Sequence, residues 1–221
     1  MFKNKITLKN VPFVKDVHTM KDLLVSLGAR VDFSISKKMM TITNNKNHKL
    51  VVCDYLGVEE KWKNIAKREL ADIIKPDVLF DYLNDHAKDV EKIFHMGAIS
   101  ATTERNADQI VSSNIHLTMK LWNWCSKNET TLIYASSAAT YGDGSSGFSD
   151  DDSTDGLAKL RPLNLYGWSK IQNHPLIGNC RSYQFFSHFW TQRVSKWNFL
   201  CILCPNDTVP LDGLSETYQT I

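Results

Sequence analysis

The chain has 221 residues, 43% hydrophobic and 23% charged, which is typical of a globular protein and not of a disordered or membrane-embedded one. Its 26 basic and 24 acidic side chains leave a net charge of +2, so no overall field directs it to nucleic acid or an anionic membrane. Five irregularly spaced cysteines, no membrane-length apolar run and a start without the apolar core of a signal peptide predict reduced thiols and a cytoplasmic location.

The first part of the chain predicts one helix and a hairpin. Apolar residues recur at helical spacing over residues 14–27, and Gly28 closes this predicted helix. Alternating stretches at 30–35 and 39–43 predict two strands, and the polar run 44–48 predicts a turn or linker. A small α+β segment therefore opens the chain.

From residue 49 the pattern changes to strands that alternate with helices. The predicted strands cover 50–53, 69–73, 92–96 and 130–136, and the predicted helices cover 78–86 and 106–126. This order predicts a parallel sheet between helices, in which ligands bind beyond the carboxyl ends of the strands. Residues 171–221 show no periodicity and predict no fold.

A tyrosine and a lysine four residues apart form the strongest chemical signal. Tyr166 and Lys170 share one face of a predicted helix. A protonated lysine and the positive ring of a bound nicotinamide both favour a phenolate, so Tyr166 can exchange a proton with an alcohol. Ser137, the second serine of the strand-terminal SSAATYG, would hold that alcohol by a hydrogen bond.

The YxxxK pattern alone has a structural alternative, a half-buried tyrosine beside a solvated lysine. Its position after the strand-terminal SSAATYG, in a chain that predicts a parallel sheet, favours the functional interpretation.

The strings KLVVCDYLGVEEKWKNIAKRELADI, IFHMGAISATTE, NIHLTMKLWNWC, LIYASSAATYG and RPLNLYGWSK resemble the ADP-glyceromanno-heptose 6-epimerase family, in the same order and spacing. The resemblance covers residues 48–170. It implies an extended short-chain dehydrogenase with a Rossmann-like doubly wound α/β sheet. It also implies that hydride passes from the heptose C6 to NADP, with NAD as the alternative, and returns on the opposite face.

By matched position, the resemblance implies a role for each of several residues. The catalytic group is Ser137, Tyr166 and Lys170. The cofactor contacts are Asp54, Tyr55, Lys61, Asp72, Ile73, Gly97, Ala98, Ser100, Asn114, Tyr166 and Lys170. The substrate contacts, for an ADP-heptose, are Thr102, Thr103, Glu104 and Ser137.

Several of these residues have simpler structural interpretations. Asp54 is equally typical of a turn, and Lys61 and Glu104 are more often solvated surface charges. His95, on an apolar strand, is typical of a core histidine, and we assign it no role. The tryptophans of the predicted long helix are packing residues.

Residues 1–47, which contain NVP and MKDLLVSLGA, resemble part of the UDP-N-acetylglucosamine enolpyruvyl transferase family. The substrate-binding Lys-Asn pair and the reactive cysteine loop of that family are not in this stretch. We therefore carry over no catalytic residue from it.

The epimerase family begins with a strand and a G-x-x-G-x-x-G turn that holds the cofactor pyrophosphate. Neither precedes residue 49 here, so we expect an incomplete sheet with exposed strand edges. Residues 171–221 do not resemble the segment of the family that supplies the second proton-transfer base and the substrate lobe. We interpret them as a tail that is disordered or out of frame. Cys201 and Cys204, with His174 and His188 upstream, lack zinc spacing, so we predict no metal.

Two functions follow as expectations. One is a nucleotide-sugar epimerase that acts on ADP-heptose, with no nucleic-acid or membrane partner and with oligomerisation left open. The other is a catalytically inactive remnant of gene fusion or decay. A module that binds the nucleotide-sugar without turnover is a third option.

Overall fold

The computed structural model describes residues 5–26, 28–44, 48–149, 151, 153–177, 184–185 and 200–205. Two sheets organise these residues, one with three strands and one with six. No helix within these ranges is long and apolar enough to cross a membrane.

The N-terminal sheet is antiparallel, with the strand order β1-β3-β2. Its elements are β1 (Ile6–Lys9), α1 (Lys15–Ser26), β2 (Ala29–Ser34) and β3 (Met39–Asn44). Leu23 of α1 and Met40 and Ile42 of β3 are buried, so one helical face covers the sheet. The predicted helix and two strands are present at their predicted places, and β1 was not predicted. The assignment of this segment to the transferase family stays a prediction.

The larger sheet has the strand order β5-β4-β9-β6-β7-β8. Its strands are β4 (His48–Cys53), β5 (Asp72–Ile74), β6 (Lys92–His95), β7 (Thr131–Ala135), β8 (Gln184–Phe185) and β9 (Leu200–Pro205). The β4–β5, β6–β7 and β7–β8 pairs are parallel. Three predicted strands coincide with β4, β6 and β7, and the fourth is confirmed as the shorter and later β5. The predicted α/β architecture with parallel pairing is confirmed.

The expectation of exposed edges at the centre of this sheet is wrong, because β9 lies between β4 and β6. It pairs antiparallel with β4 from His48↔Pro205 to Cys53↔Leu200, and with β6 from Lys92↔Leu203 to His95↔Leu200. The segment 200–205 reads LCILCP, a short apolar run that hydropathy alone cannot assign to a strand. Hydrogen bonding on both sides satisfies its backbone donors and acceptors in the sheet interior.

The helices of the larger unit are α2 (Leu79–Asp85), α3 (Ala107–Ile110), α4 (Leu117–Lys127), α5 (Thr154–Lys159) and α6 (Leu165–Ile177). A π-helical turn, Val111–His116, joins α3 to α4, so the predicted helix 106–126 is present but not uniform.

Apolar side chains from these helices and from β4, β5, β6 and β7 form one core. Its members are Val51, Cys53, Ile74, Leu79, Leu83, Val90, Ile93, Leu121, Trp124, Cys125 and Leu132. Trp124 is buried and donates its indole N–H to Asn84 Oδ1 at 2.9 Å, and Trp122 packs against the same core. The packing role predicted for the helix tryptophans is confirmed.

Candidate active site

The site is built first from the residues that follow β7. Ser137 begins a 3-10 turn, Ala138–Tyr141, and its hydroxyl accepts a hydrogen bond from Ala139 N at 3.2 Å. Ser136, one residue earlier, instead forms a hydrogen bond with His174 Nε2 at 2.7 Å. The two adjacent serines therefore have different partners. Ser136 is engaged by His174, whereas the Ser137 hydroxyl borders the site.

Helix α6 brings the tyrosine and the lysine to this turn. Asn164 Oδ1 accepts a hydrogen bond from Gly167 N at 2.8 Å and so caps the start of the helix. A Cβ on Gly167 would lie 2.4 Å from Ala139 O, so only glycine allows α6 to pack this closely on the turn. This close approach places the phenol of Tyr166 beside Ser137.

Tyr166 is half-buried, and its hydroxyl lies beside that of Ser137. Burial raises the pKa of Tyr166 above its usual value, and the hydrogen bond from Ser137 acts in the opposite direction. The raised pKa keeps the phenol protonated at neutral pH unless further positive charge comes close.

Lys170 lies one helical turn further and is 2% exposed. Its ammonium donates to Ala135 O at 2.7 Å and lies 5.7 Å from the centroid of the Tyr166 ring. Burial lowers the pKa of Lys170 to about 7. Among the described residues no carboxylate forms an ion pair with it, so the ammonium is only marginally stable at neutral pH.

Asn114, in the π-helical turn, ties the loop after β6 to α6. Its Oδ1 accepts from Ile99 N at 2.8 Å, and its Nδ2 donates to Ile99 O and to Ser169 Oγ, both at 3.0 Å. Ser169 in turn donates to Tyr166 O at 2.8 Å. Asn114 therefore fixes two segments that border Tyr166, rather than pointing into open space.

The remaining residues after β6 divide into two groups. Gly97, Ala98 and Ser100 are half-buried directly beyond the strand end, whereas Thr102 and Thr103 are exposed in a turn.

The carboxylate of Glu104 is engaged at the start of the next helix. Glu104 Oε1 accepts from the backbone N–H groups of Arg105 and Asn106 at 2.8 and 2.7 Å, which lowers the pKa of Glu104. This carboxylate is thus engaged by the local backbone, and its assignment to the substrate stays a prediction.

A charged pair marks the end of β4. Lys61 Nζ lies 2.6 Å from Asp54 Oδ2 and donates to Tyr55 O at 3.1 Å. Burial raises the pKa of Asp54, and Lys61 opposes that rise. Tyr55 donates its hydroxyl to Asp77 Oδ1 at 2.6 Å. Asp54, Tyr55 and Lys61 therefore form one polar group at the carboxyl end of β4.

The structure does not bring Asp72 to that edge. Asp72 pairs with Val51 and begins β5, two residues before Ile74, which pairs with Cys53 at the strand end. At roughly 3.3 Å per residue this places Asp72 about 7 Å from the edge. Asp72 Oδ1 accepts from Ile73 N at 2.7 Å, and Ile73 is partly exposed on the edge strand of the sheet.

Two buried residues beside Lys170 were missed by the sequence analysis. Tyr134 of β7 lies under the Lys170 ammonium, and Asn173 Nδ2 donates to Tyr134 Oη at 3.0 Å. Asn173 lies three residues after Lys170 and seven after Tyr166, which is one helical face, so helical spacing is the signal that would have found it.

The residues considered for a metal, Cys201, Cys204, His174 and His188, lie near the end of the chain. His188 lies outside the described residues, as do the side chains of Cys201 and Cys204. His174 is buried against Ser136.

His95 is buried, and its Nε2 lies 2.9 Å from Thr118 Oγ1. Thr118 donates its own hydroxyl to Asn114 O at 2.7 Å. Since the hydroxyl hydrogen is used in that bond, His95 is the donor to Thr118. These contacts confirm the core-histidine interpretation.

Comparison with known families agrees with this geometry. Residues 35–189 match the NAD dependent epimerase/dehydratase family, which is more than half of the chain. The chain belongs to that family, and the resemblance of its middle segment to the heptose epimerases is confirmed.

Several relatives carry one name, ADP-L-glycero-D-manno-heptose-6-epimerase. That of Nitratidesulfovibrio vulgaris is 39% identical over 163 residues, 70% of this chain and 50% of the relative. That of Fusobacterium nucleatum is 48% identical over 123 residues, 55% of this chain and 37% of the relative. The chain thus spans half or less of the length of these relatives.

A crystal structure of the Helicobacter pylori enzyme of the same name is also similar. It has a TM-score of 0.47 at 23% identity, over 62% of this chain and 45% of that one.

Proposed function

We propose that this chain is a nucleotide-sugar epimerase that converts ADP-D-glycero-D-manno-heptose to ADP-L-glycero-D-manno-heptose at C6. The observation that carries the proposal is the convergence of Ser137, Tyr166 and Lys170 beyond the carboxyl end of β7. The names of the relatives, which share up to 48% identity, support the substrate class. NADP is the proposed cofactor, with NAD as the alternative.

A bound dinucleotide would lie across the strand ends of the larger sheet. The polar group Asp54, Tyr55 and Lys61 beyond β4 suits an adenosine ribose or its phosphate. Tyr166 and Lys170 beyond β7 suit the other ribose. Between them lies the reversed strand β9, with no glycine-rich turn within the described residues.

When bound, NADP supplies the hydride acceptor and donor for the sugar carbon. The chain's own groups handle the proton. Ser137 Oγ holds the sugar hydroxyl by a hydrogen bond, and Tyr166 Oη takes or returns its proton. Protonated Lys170 lowers the free energy of the phenolate, which opposes the effect of burial on Tyr166.

The proposal is tested with the purified full chain. We expect calorimetry to detect NADP(H) binding, and NMR to detect the C6 epimer when ADP-heptose is added. Tyr166→Phe should retain cofactor binding and lose turnover by 100-fold or more, on the order of a lost acid/base group. Wild-type protein that binds NADP but leaves ADP-heptose unchanged, even after prolonged incubation, would overturn the epimerase assignment.

A second function, a non-catalytic remnant, is favoured by one observation, the antiparallel β9 where the family has its glycine-rich strand. It predicts a cooperatively folded chain without measurable NADP(H) binding. Cofactor binding by the wild type together with heptose epimerisation would exclude it. Tight ADP-heptose binding without turnover would instead support a binding module.

A further inference from the structure

A buried aromatic ring lies directly beneath the Lys170 ammonium. Lys170 Nζ is 4.4 Å from the centroid of Tyr134, well within the range of a cation–π contact and closer than its 5.7 Å distance to the Tyr166 ring. Tyr134 is 1% exposed, so water does not screen this contact. It also directly precedes Ala135, whose carbonyl accepts the hydrogen bond from Lys170.

The ring is held in place from two sides. Asn173 Nδ2 donates to Tyr134 Oη at 3.0 Å and to Asn114 O at 2.9 Å, which links the phenol to the π-helical turn. The ring of His95, from β6, lies 5.7 Å away at an interplanar angle of 42°. The face that Tyr134 presents to Lys170 is therefore fixed by its neighbours.

Among the described residues, no group near the ammonium carries a compensating negative charge. The titratable groups around it are Tyr134 from β7, Tyr166 and His174 from α6, and His95 from β6. Burial, and then the charge of Lys170, lower the pKa of His95 to about 3, so its ring is neutral. Burial also raises the pKa of Tyr134, so its phenol is neutral as well. The described part of the chain offers the ammonium one carbonyl and two aromatic faces.

We propose that Tyr134 is a positioning residue, whose ring face holds Lys170 charged and in place against Ala135 O, where it can act on Tyr166. The catalytic consequence rests on the proposed function, whereas the effect of the ring on Lys170 does not. A ring quadrupole attracts a desolvated cation, and an aliphatic side chain of similar volume does not. Tyr134 would then set the pH range over which the lysine is charged.

The test is an NMR titration of the cofactor-free full chain with 13Cε-labelled lysine, in which Lys170→Met identifies the Lys170 signal. We expect Tyr134→Phe to leave the Lys170 pKa within about 0.3 units of wild type, because the ring face remains. Tyr134→Leu should lower it by about 1.5 units, which corresponds to the usual strength of a desolvated cation–π contact. Replacement of Tyr134 by pentafluorophenylalanine, which keeps the shape and reverses the quadrupole, should lower it at least as much.

The fluorinated ring keeps the test decisive if Tyr134→Leu does not fold. Trp122→Leu is the matched control, since it removes an aromatic ring that packs against the core. An unchanged Lys170 pKa with the fluorinated ring, or an equal drop in Trp122→Leu, would overturn the proposal. If the pKa falls as expected in a protein that binds no NADP, the epimerase function fails and the role of Tyr134 stands. In an active protein, Tyr134→Leu should also move the pH profile of turnover, and Tyr134→Phe should not.

Discussion

The burial of Lys170 predicts that the stability of the protein depends on pH. The pKa of Lys170 is about 7 in the folded chain and about 10.4 in an unfolded one. Between these values the unfolded chain binds more protons, so the free energy of unfolding rises with pH, by about 1.4 kcal/mol per unit at most. Below pH 7 Lys170 is protonated in both the folded and the unfolded chain, so the free energy of unfolding gains nothing from this residue.

We predict that Lys170→Met removes this slope between pH 7 and 8.5, as measured by urea unfolding at several pH values. The upper limit avoids Cys53, whose pKa burial raises to about 12 and which contributes in the opposite direction above the thiol's ordinary pKa. Lys92→Met, which removes a lysine paired with Glu91 near the surface, is the control and should keep the slope. Equal slopes in wild type and Lys170→Met would contradict the prediction.

At the scale of single residues, the sequence predicted that Ser137, Tyr166 and Lys170 lie together, which the proposed chemistry requires. Helical spacing was enough to place Tyr166 and Lys170 on one face, and the position of Ser137 after a strand was enough to bring it near. The buried state of Lys170 and the ring of Tyr134 were not predictable. Both depend on how α6 packs on β7, which no local pattern records.

Gly167 controls the approach of α6 to the turn after β7. A methyl group there would meet the backbone carbonyl of Ala139 at 2.4 Å, and backbone cannot move aside as a side chain can. We predict that Gly167→Ala destabilises the fold by about 1–3 kcal/mol, the usual range for overpacking, and separates Tyr166 from Ser137. A spectrophotometric titration of the Tyr166 phenol would report that separation as a higher pKa.

Gly147→Ala is the control for this prediction. Gly147 has a φ of 82° and nothing within 4 Å of an added Cβ, so alanine there costs about 1–2 kcal/mol of backbone strain without any clash. The stability of this control should fall while the Tyr166 titration stays unchanged. If both variants shift the phenol alike, close packing at Gly167 is not what positions Tyr166.

At the scale of elements, prediction succeeded where periodicity was long or strongly apolar. The helix over 106–126 was found, but its π-helical turn at Val111–His116 was not. That turn includes Asn114, whose hydrogen bonds to Ile99 and Ser169 lie in distant parts of the chain. A one-residue widening of a helix depends on such tertiary contacts, so it leaves no mark in the sequence.

For the whole molecule, β9 determines whether the larger sheet is continuous. It is hydrogen-bonded to β4 over six residue pairs and to β6 over four. We predict that a chain ending at residue 199 loses its cooperative thermal transition or aggregates, because the two halves of the sheet would present open edges. Calorimetry and light scattering would measure both effects. A chain ending at Pro205 keeps β9 and should keep the cooperative transition, whereas identical melting of both truncations would contradict the role of β9.

The strand order could be predicted only in part. Strands β4 to β7 and their parallel pairing follow from alternating strands and helices, since each crossover returns the chain in the same direction. The central position of β9 could not be predicted in this way. This strand lies about 150 residues after β4 in the chain, and no helical crossover pattern precedes it in the sequence.

The direction of β9 has an electrostatic consequence for the edge that carries Ser137. Leu200 pairs with Cys53 and His95, so the chain enters the sheet at this edge and leaves at the other. When a strand ends at this edge, the helix that follows it can point its positive N-terminus at the edge. Because β9 begins at this edge, a helix that preceded it would point its negative C-terminus there instead. The reversed strand therefore adds no helix N-terminus to the attraction of the proposed diphosphate, and dissolved salt readily weakens any attraction that comes from exposed cationic side chains instead.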